Sequence, residues 1–279
     1  MTVSELLERA HSIAEEGDWK GSAELLLEHI EEFADDPVIH TWLGVAEREL
    51  GLGSSAYERF KQALALDPED PVVLATAGNG IAAFDDPDAE RALRVAAITA
   101  PGLPLARMMY GAYLSREGFL ELALQELTAA RELDPDDSEI MYELGVAYAL
   151  SGKVDRATDA LADSVRLDPE NGWVRIVFGL LLLEEGRTEE GAGELIAGAR
   201  RRPDDLDAQL AAALATAATG HEGVAYEMLE RARLNSSDVD AALVSAIEER
   251  LDAGPESAEA ALDEDLVPDL LRARLQERP

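Results

Sequence analysis

Residues 138–171 decide the fold of this chain, and they are SEIMYELGVAYALSGKVDRATDALADSVRLDPEN. If residue 138 is position 1, Gly145 falls at position 8, Gly152 at position 15, Ala157 at position 20 and Pro169 at position 32. Small residues at positions 8 and 20 allow two helices to approach closely. A glycine at position 15 adopts the left-handed backbone conformation that ends a helix. A proline at position 32 ends the second helix, because it cannot continue one. The stretch therefore predicts two helices joined by a tight turn.

The same pattern recurs along the chain. Three of its prolines, Pro135, Pro169 and Pro203, are spaced by 34 residues. These features resemble the tetratricopeptide repeat, a helix–turn–helix unit of 34 residues. The resemblance implies an all-α fold, a right-handed superhelical solenoid that covers residues 1–279 as one domain. The predicted repeats are approximately 3–36, 37–70, 71–103, 104–137, 138–171, 172–205 and 206–239.

Two regions depart from the pattern. The repeat at 71–103 lacks the turn glycine and has Phe84-Asp85-Asp86-Pro87 in its place. We expect a shortened first helix there. Residues 240–279 are predicted to form a degenerate repeat followed by a C-terminal capping helix, since atypical terminal elements shield the open end of a repeat array.

Composition limits the partners of this chain. It has 58 acidic and 24 basic residues, a formal net charge of −34, and no cysteine. Such a field repels phosphate backbones and anionic membranes, so we expect neither nucleic-acid binding nor membrane insertion. It attracts basic partners, although solubility or adaptation to a salty cytoplasm explains the charge equally well. The absence of cysteine and of a visible targeting segment favours a cytoplasmic location.

The sequence offers no constellation that catalysis requires. None of its histidines, His11, His29, His40 and His221, forms a pair with the i, i+4 spacing of a helical metal site. A phosphate-binding loop that ends in Gly-Lys is also absent. We therefore expect a protein that is not an enzyme, with no catalytic residues, no metal site and no cofactor.

A binding surface follows from the family resemblance. In tetratricopeptide proteins the first helices of the repeats line a concave groove, and positions 2, 5, 6, 9, 12 and 13 face into it. Here those positions are largely apolar, which suits an amphipathic helix or an extended apolar segment of a partner. The acidic surroundings favour a partner whose apolar segment has basic flanks. The predicted peptide-binding residues are Trp42, Val45, Met108, Met109, Ala112, Tyr142, Val146, Trp173, Ile176, Val177 and Leu180.

The predicted function is therefore a protein–protein interaction scaffold or adaptor. An alternative stays open, because first helices also pack against neighbouring repeats and the helix from Trp173 to Leu183 is apolar almost all round. In this alternative the groove is ordinary core, or it receives the terminal helix of another copy, and the protein is a self-assembling structural homo-oligomer.

Overall fold

The structure, a computed structural model, describes residues 1–237 and 239–277, apart from the side chains of Glu264 and Asp265. All secondary structure in this part of the chain is helical. The residues divide into two compact units, an N-terminal unit Met1–Pro135 and a C-terminal unit Asp136–Pro279. Both units consist of two-helix repeats, so the all-α fold of helix–turn–helix repeats is confirmed.

The N-terminal unit contains four repeats. Its helices are α1 (Val3–Glu15), α2 (Trp19–His29), α3 (Pro37–Glu49), α4 (Gly53–Ala65), α5 (Pro71–Ala82), α6 (Asp88–Thr99), α7 (Pro104–Arg116) and α8 (Leu120–Leu133). The odd-numbered helices are the first helices of their repeats, and each packs against the second helix that follows it.

The C-terminal unit continues the alternation of first and second helices, but its last helices do not follow it. Its helices are α9 (Ser138–Leu150), α10 (Val154–Leu167), α11 (Gly172–Glu184), α12 (Thr188–Arg201), α13 (Leu206–Ala218), α14 (Glu222–Asn235), α15 (Ala241–Asp252), α16 (Pro255–Ala261) and α17 (Val267–Gln276). A single π-helical turn, Leu262–Leu266, joins α16 to α17.

Short polar residues begin most of the first helices. Asp137 shows the pattern, because its carboxylate accepts hydrogen bonds from the backbone N–H groups of Glu139 and Ile140 at 2.8 and 3.1 Å. Such a cap satisfies donors that have no partner inside the helix. Proline occupies the first turn of α3, α5 and α7, where its missing N–H removes nothing that the helix uses.

A left-handed glycine ends nearly every first helix. After α9, Gly152 has a φ of 68°. The N–H of Lys153 then donates to the carbonyl of Tyr148 at 2.9 Å, which is the Schellman arrangement. The equivalent glycines with positive φ are Gly17, Gly51, Gly118, Gly186, Gly220 and Gly254. The predicted role of the glycine at position 15 is therefore confirmed.

The repeat that begins at Pro71 ends its first helix without a glycine. Its first helix, α5, has 12 residues where α3 has 13, as expected from the sequence. Asp85 takes the left-handed conformation, with a φ of 53°. Aspartate tolerates this conformation better than most side chains do.

Asp86, the next residue, anchors a polar cluster that links α4 to the turn. Its carboxylate accepts from the Tyr57 hydroxyl at 2.7 Å and from the Lys61 ammonium at 3.0 Å. Lys61 also pairs with Asp88 at 2.8 Å. Burial disfavours the charged form of Asp86, but the hydrogen bonds from Tyr57, the Asp88 backbone and Lys61 outweigh burial and lower the pKa of this carboxyl. The hydrogen bond to Asp88, opposed by burial and helped by the one to Asp86, raises the pKa of Lys61.

Glycines also allow close helix crossings. A Cβ on Gly179 of α11 would lie 3.0 Å from the Gly191 carbonyl oxygen and 3.0 Å from the Leu195 backbone nitrogen, both on α12. A Cβ on Gly191 would lie 2.8 Å from the Gly179 carbonyl oxygen. Gly191 stands where the repeat pattern has alanine, and the backbones meet there because neither glycine has a side chain.

The end of the chain does not stack as another repeat. After the seventh repeat and α15, helix α16 packs against α13 and α15. Helix α17 then packs against α11 and touches α9. The chain thus turns back along the first helices of its own C-terminal unit. A terminal helix was predicted, but its position on the side of earlier repeats was not.

Candidate partner-binding surface

Buried side chains of the first helices α9, α11 and α13 belong to one hydrophobic cluster, and we call the side of these helices that holds Tyr142 and Trp173 the first-helix face. At its centre the indole Nε1–H of Trp173 on α11 donates to the Tyr142 hydroxyl on α9 at 2.8 Å, and both side chains are buried. This bond fixes the two rings to each other across neighbouring repeats. The side chains around this hydrogen bond are apolar, so the indole N–H and the hydroxyl are polar groups inside a hydrophobic cluster.

Helix α17 lies on this face with its apolar side inward. Leu270, Leu271 and Leu275 are buried and belong to the same hydrophobic cluster as Tyr142 and Trp173. The opposite side of the helix is polar and exposed, with Asp269 and Arg272 paired at 3.1 Å. The helix is therefore amphipathic, and only its apolar side contacts the repeats.

One basic residue completes the contact. Arg274 of α17 is 10% exposed, and its guanidinium donates to Asp205, itself 8% exposed, at 2.7 Å. A second carboxylate, that of Asp207, lies 3.9 Å away. The Arg274 guanidinium carbon also lies 4.9 Å from the centre of the Trp173 ring, within the range of a cation–π interaction. Arg202 approaches the same ring at 5.4 Å.

The position of Asp205 at the start of α13 makes its carboxylate a suitable partner for Arg274. Asp205 precedes α13 and accepts a hydrogen bond from the backbone N–H of Ala208 at 3.1 Å. The helix N-terminus favours its negative charge, and Arg274 gains a partner whose position the backbone fixes. One atom of the arrangement stays incomplete, since the buried Nε of Arg274 has no hydrogen-bond partner among the described residues.

The six predicted peptide-binding residues of this unit are all buried. They lie together in one hydrophobic cluster and are Tyr142, Val146, Trp173, Ile176, Val177 and Leu180. In this unit the predicted groove positions are therefore not open to solvent. Helix α17 packs on α11 and touches α9, and it covers part of the stripe. A role for these residues in binding stays a prediction.

The five predicted residues of the N-terminal unit are less completely covered. Val45, Met108 and Ala112 are buried, whereas Trp42 and Met109 are half-buried. The Trp42 ring packs edge-on against His11 of α1, with ring centres 4.1 Å apart. Met109 packs on a small cluster of alanines between α5, α6 and α7. Their role in binding also stays a prediction.

Sequence reasoning missed the groups that α17 supplies. Helical periodicity identified a closing helix, and the charge of Arg274 within its apolar side was a visible signal, but nothing in the sequence placed that arginine beside Trp173. It also missed apolar side chains exposed on second helices, such as Ile98 of α6 at 70%. Near Ile98, a surface cavity of about 270 Å³ lies between α4 and α6, and Leu64, Leu74 and Val95 are among its lining residues.

The part of the chain that the structure describes has neither a metal-binding cluster nor a membrane-spanning helix. Within residues 1–237 and 239–277 no three histidine or acidic side chains converge as metal ligands. No helix in the same residues has both the length and the hydropathy needed to cross a bilayer.

Two-helix repeats with left-handed glycine turns, close small-residue crossings and a continuous first-helix surface define a class, the helical repeat proteins. Residues 111–172 match the model of the tetratricopeptide repeat family. These residues therefore contain a tetratricopeptide repeat sequence, and the resemblance drawn from the sequence is confirmed there. A comparison with curated proteins found no match.

Solved structures of tetratricopeptide repeat proteins share the fold. A chain of the APC/C hetero-tetramer Cut9-Hcn1 superposes with a TM-score of 0.70 at 18% identity, over 87% of this chain and 48% of that one. This chain thus spans about half the length of that relative. PilF of Pseudomonas aeruginosa has a TM-score of 0.59 at 20% identity, over 75% and 96% of the two chains. A tetratricopeptide repeat protein of Parabacteroides merdae has a TM-score of 0.58 at 12% identity, over 91% and 98%.

Proposed function

We propose that this protein is an adaptor that binds an apolar segment of a partner protein, with basic residues beside it, on its first helices. The tetratricopeptide fold supports a protein-binding scaffold, and the finer assignment is ours. The observation that carries it is the seating of α17. An amphipathic helix with three inward leucines and one arginine lies on the first-helix face of the C-terminal unit.

The charge of the molecule supports the same partner chemistry. With a net charge of −34 the chain attracts basic segments and accelerates their association. Apolar area then holds the partner, as it does in helix-in-groove recognition. The same charge opposes self-association at low ionic strength, so we favour a different protein over a second copy as partner.

Each unit carries its own proposed contacts. In the C-terminal unit the contacts are Tyr142, Val146, Trp173, Ile176, Val177 and Leu180, and in the N-terminal unit they are Trp42, Val45, Met108, Met109 and Ala112. Among these, Met109 offers the cleanest test because it is half-buried on a first helix. A charge there alters the surface without removing a fully buried side chain.

The test uses a partner recovered by affinity capture from the native lysate and then purified. Its dissociation constant is measured by calorimetry against the wild type, against Met109→Glu and against Ile98→Glu, a matched apolar-to-acidic change on a second helix. We expect Met109→Glu to weaken binding at least tenfold and Ile98→Glu to leave it within about twofold. The reverse pattern would assign binding to the second helices and overturn the proposal.

A further inference from the structure

The contact between α17 and the first-helix face differs from an ordinary end cap. A capping helix covers the last repeat, whose first helix here is α15. Helix α17 instead contacts α11 and α9, which belong to earlier repeats, while the short α16 covers α13 and α15. Nothing about closing the end of the array requires a helix on α11.

The contact is also selective in what it recognises. Three leucines of α17, Leu270, Leu271 and Leu275, enter the apolar area, and Arg274 reaches Asp205. An arginine suits this place better than a lysine, because its planar guanidinium both stacks on the Trp173 ring and bonds a carboxylate. The first-helix face therefore accommodates a helix that has leucines at positions i, i+1 and i+5 and an arginine at position i+4.

The contact is incomplete in one respect. The Nε of Arg274 is buried without a hydrogen-bond partner in the described chain, and such a group lowers the net stability of the contact. The segment before α17 also contains little regular α-helix, because α16 has only seven residues and a π-helical turn follows it. A helix that has the same pattern and also supplies an acceptor for this Nε would compete well with α17.

We propose that the first-helix face of the C-terminal unit is a helix-docking site, that α17 occupies it in cis, and that a partner helix with leucines at i, i+1 and i+5 and arginine at i+4 replaces α17. The proposal rests on the proposed function, whose partner it specifies and whose access it regulates. In the resting protein, α17 competes at the high effective concentration of a tethered ligand, which is millimolar for short links. A partner therefore binds only when its affinity or its local concentration exceeds that of α17.

The first experiment frees the site in the full chain. A variant with Leu271→Glu and Arg274→Glu removes both kinds of contact. The matched control has Arg272→Glu and Gln276→Glu on the exposed side of the same helix. The probe is a fluorescein-labelled synthetic peptide with the sequence of residues 266–277, and binding is followed by fluorescence anisotropy.

We expect the freed variant to bind the peptide at least tenfold more tightly than the wild type and the control do, while light scattering shows a monomer. Equal binding by wild type and freed variant would refute occupation by α17 and leave the proposed function intact. No binding by a folded freed variant would refute the docking site and, with it, the proposed function in this unit. Peptide-independent dimers would assign the site to a second copy and would also overturn the proposal.

Hydrogen exchange in the wild type gives a second test that needs no substitution. If α17 exchanges with a partner, it opens without unfolding the repeats, as locally unstable elements do. We expect amides of α17 to exchange at least tenfold faster than those of α11, and saturating peptide to accelerate α17 further. Equal exchange rates in α17 and α11 would show that the helix is part of the core and would end the proposal.

Discussion

At the scale of single residues, the fold depends on glycines, which have no side chain, as much as on residues with large side chains. Gly179 and Gly191 let the backbones of α11 and α12 meet, and the atoms that an added Cβ would strike include backbone atoms. A flexible side chain can move aside, whereas a helix backbone moves only with its whole element. These two positions are therefore restricted by packing, whereas the glycine turns are restricted by their positive φ.

A substitution at Gly179 measures this restriction. We expect Gly179→Ala to lower the free energy of unfolding by about 1–3 kcal/mol, the usual range for overpacking. Urea denaturation followed by far-UV circular dichroism gives the change. Gly193→Ala on α12 is the matched control, because its Cβ would meet nothing within 4 Å. Since alanine favours a helix, the control should gain up to about 1 kcal/mol, and an equal loss in both variants would contradict close packing as the cause.

Asp86 gives a residue-scale prediction about pH. Its pKa is lowered in the folded state, so its stabilisation is present above the ordinary pKa and is lost as pH falls through the folded pKa. We expect Asp86→Asn to cost about 1–3 kcal/mol at pH 7, the range for hydrogen bonds to charged groups and for leaving a buried one unmade. The difference between wild type and variant should shrink below about pH 4, near the ordinary aspartate pKa.

Urea titrations of both proteins at a series of pH values check this prediction. Asp85→Asn, one residue away on an exposed side chain, changes the net charge equally and serves as the control. It should shift stability by less than about 0.5 kcal/mol, as exposed substitutions usually do. A difference between wild type and Asp86→Asn that persists unchanged at pH 3 would show that the ion pair is not its source.

At the scale of helices, one aromatic ring joins three elements of the N-terminal unit. Phe60 of α4 fills the space between Gly44 of α3 and Gly80 of α5. A Cβ on Gly44 would lie 2.7 Å from the ring, and one on Gly80 would also collide with it. The ring and the two glycines therefore act as a single packing unit, and their substitutions should not be additive.

A double-mutant cycle tests that coupling. Gly80→Ala alone should cost about 1–3 kcal/mol through overpacking, and Phe60→Leu alone should also destabilise the unit. Together they should cost less than their sum by about 0.5–3 kcal/mol, because the smaller side chain makes room for the added methyl group. The distant pair Phe60→Leu and Gly193→Ala should add to within about 0.5 kcal/mol. Additivity at Phe60 and Gly80 would contradict the shared packing.

The elements were largely predictable from the sequence because the signals that end them are local. A glycine such as Gly152 and a proline such as Pro169 act on their own backbone, so their spacing located the turns. First helices begin at the residues from which the repeats were counted, such as Pro37 and Ser138. The sequence shows that the turn at Asp85 lacks the usual glycine. The left-handed backbone conformation of Asp85 is visible only in the structure.

The candidate surface was less predictable, because helical periodicity gives the side of a helix but not what covers that side. Val146 and Ile176 were correctly placed on first helices, yet both are buried. The contact with α17 joins residues far apart in sequence, and no local signal specifies such a pairing. The apolar character of α11 all round was the visible warning that something packs on every side of it.

At the scale of the whole molecule, the net charge of −34 makes opposite predictions for stability and for binding. Salt shortens the range of charge interactions from about 10 Å at 0.1 M to about 3 Å at 1 M. Raising NaCl over this range should raise the thermal midpoint, because repulsion within the chain weakens. It should also weaken binding of the basic partner at least tenfold, and calorimetric titration at both salt concentrations measures the change.

Sucrose at matched osmolality controls for effects of solutes other than charge. If the midpoint rises with NaCl and partner binding strengthens as well, the acidic surface is an adaptation to salt rather than a means of choosing a partner. Binding that is indifferent to salt would remove basic residues from the partner description.

The return of α17 to α11 and α9 has a consequence for how this protein can change over evolution. Linear arrays tolerate duplication or deletion of a repeat, because each repeat contacts only its neighbours. Here the last helix must reach back over a fixed distance to find Trp173 and Asp205. Inserting one repeat after α14 would carry α17 away from both residues, so the contact of α17 with them restricts the number of repeats that can follow α9.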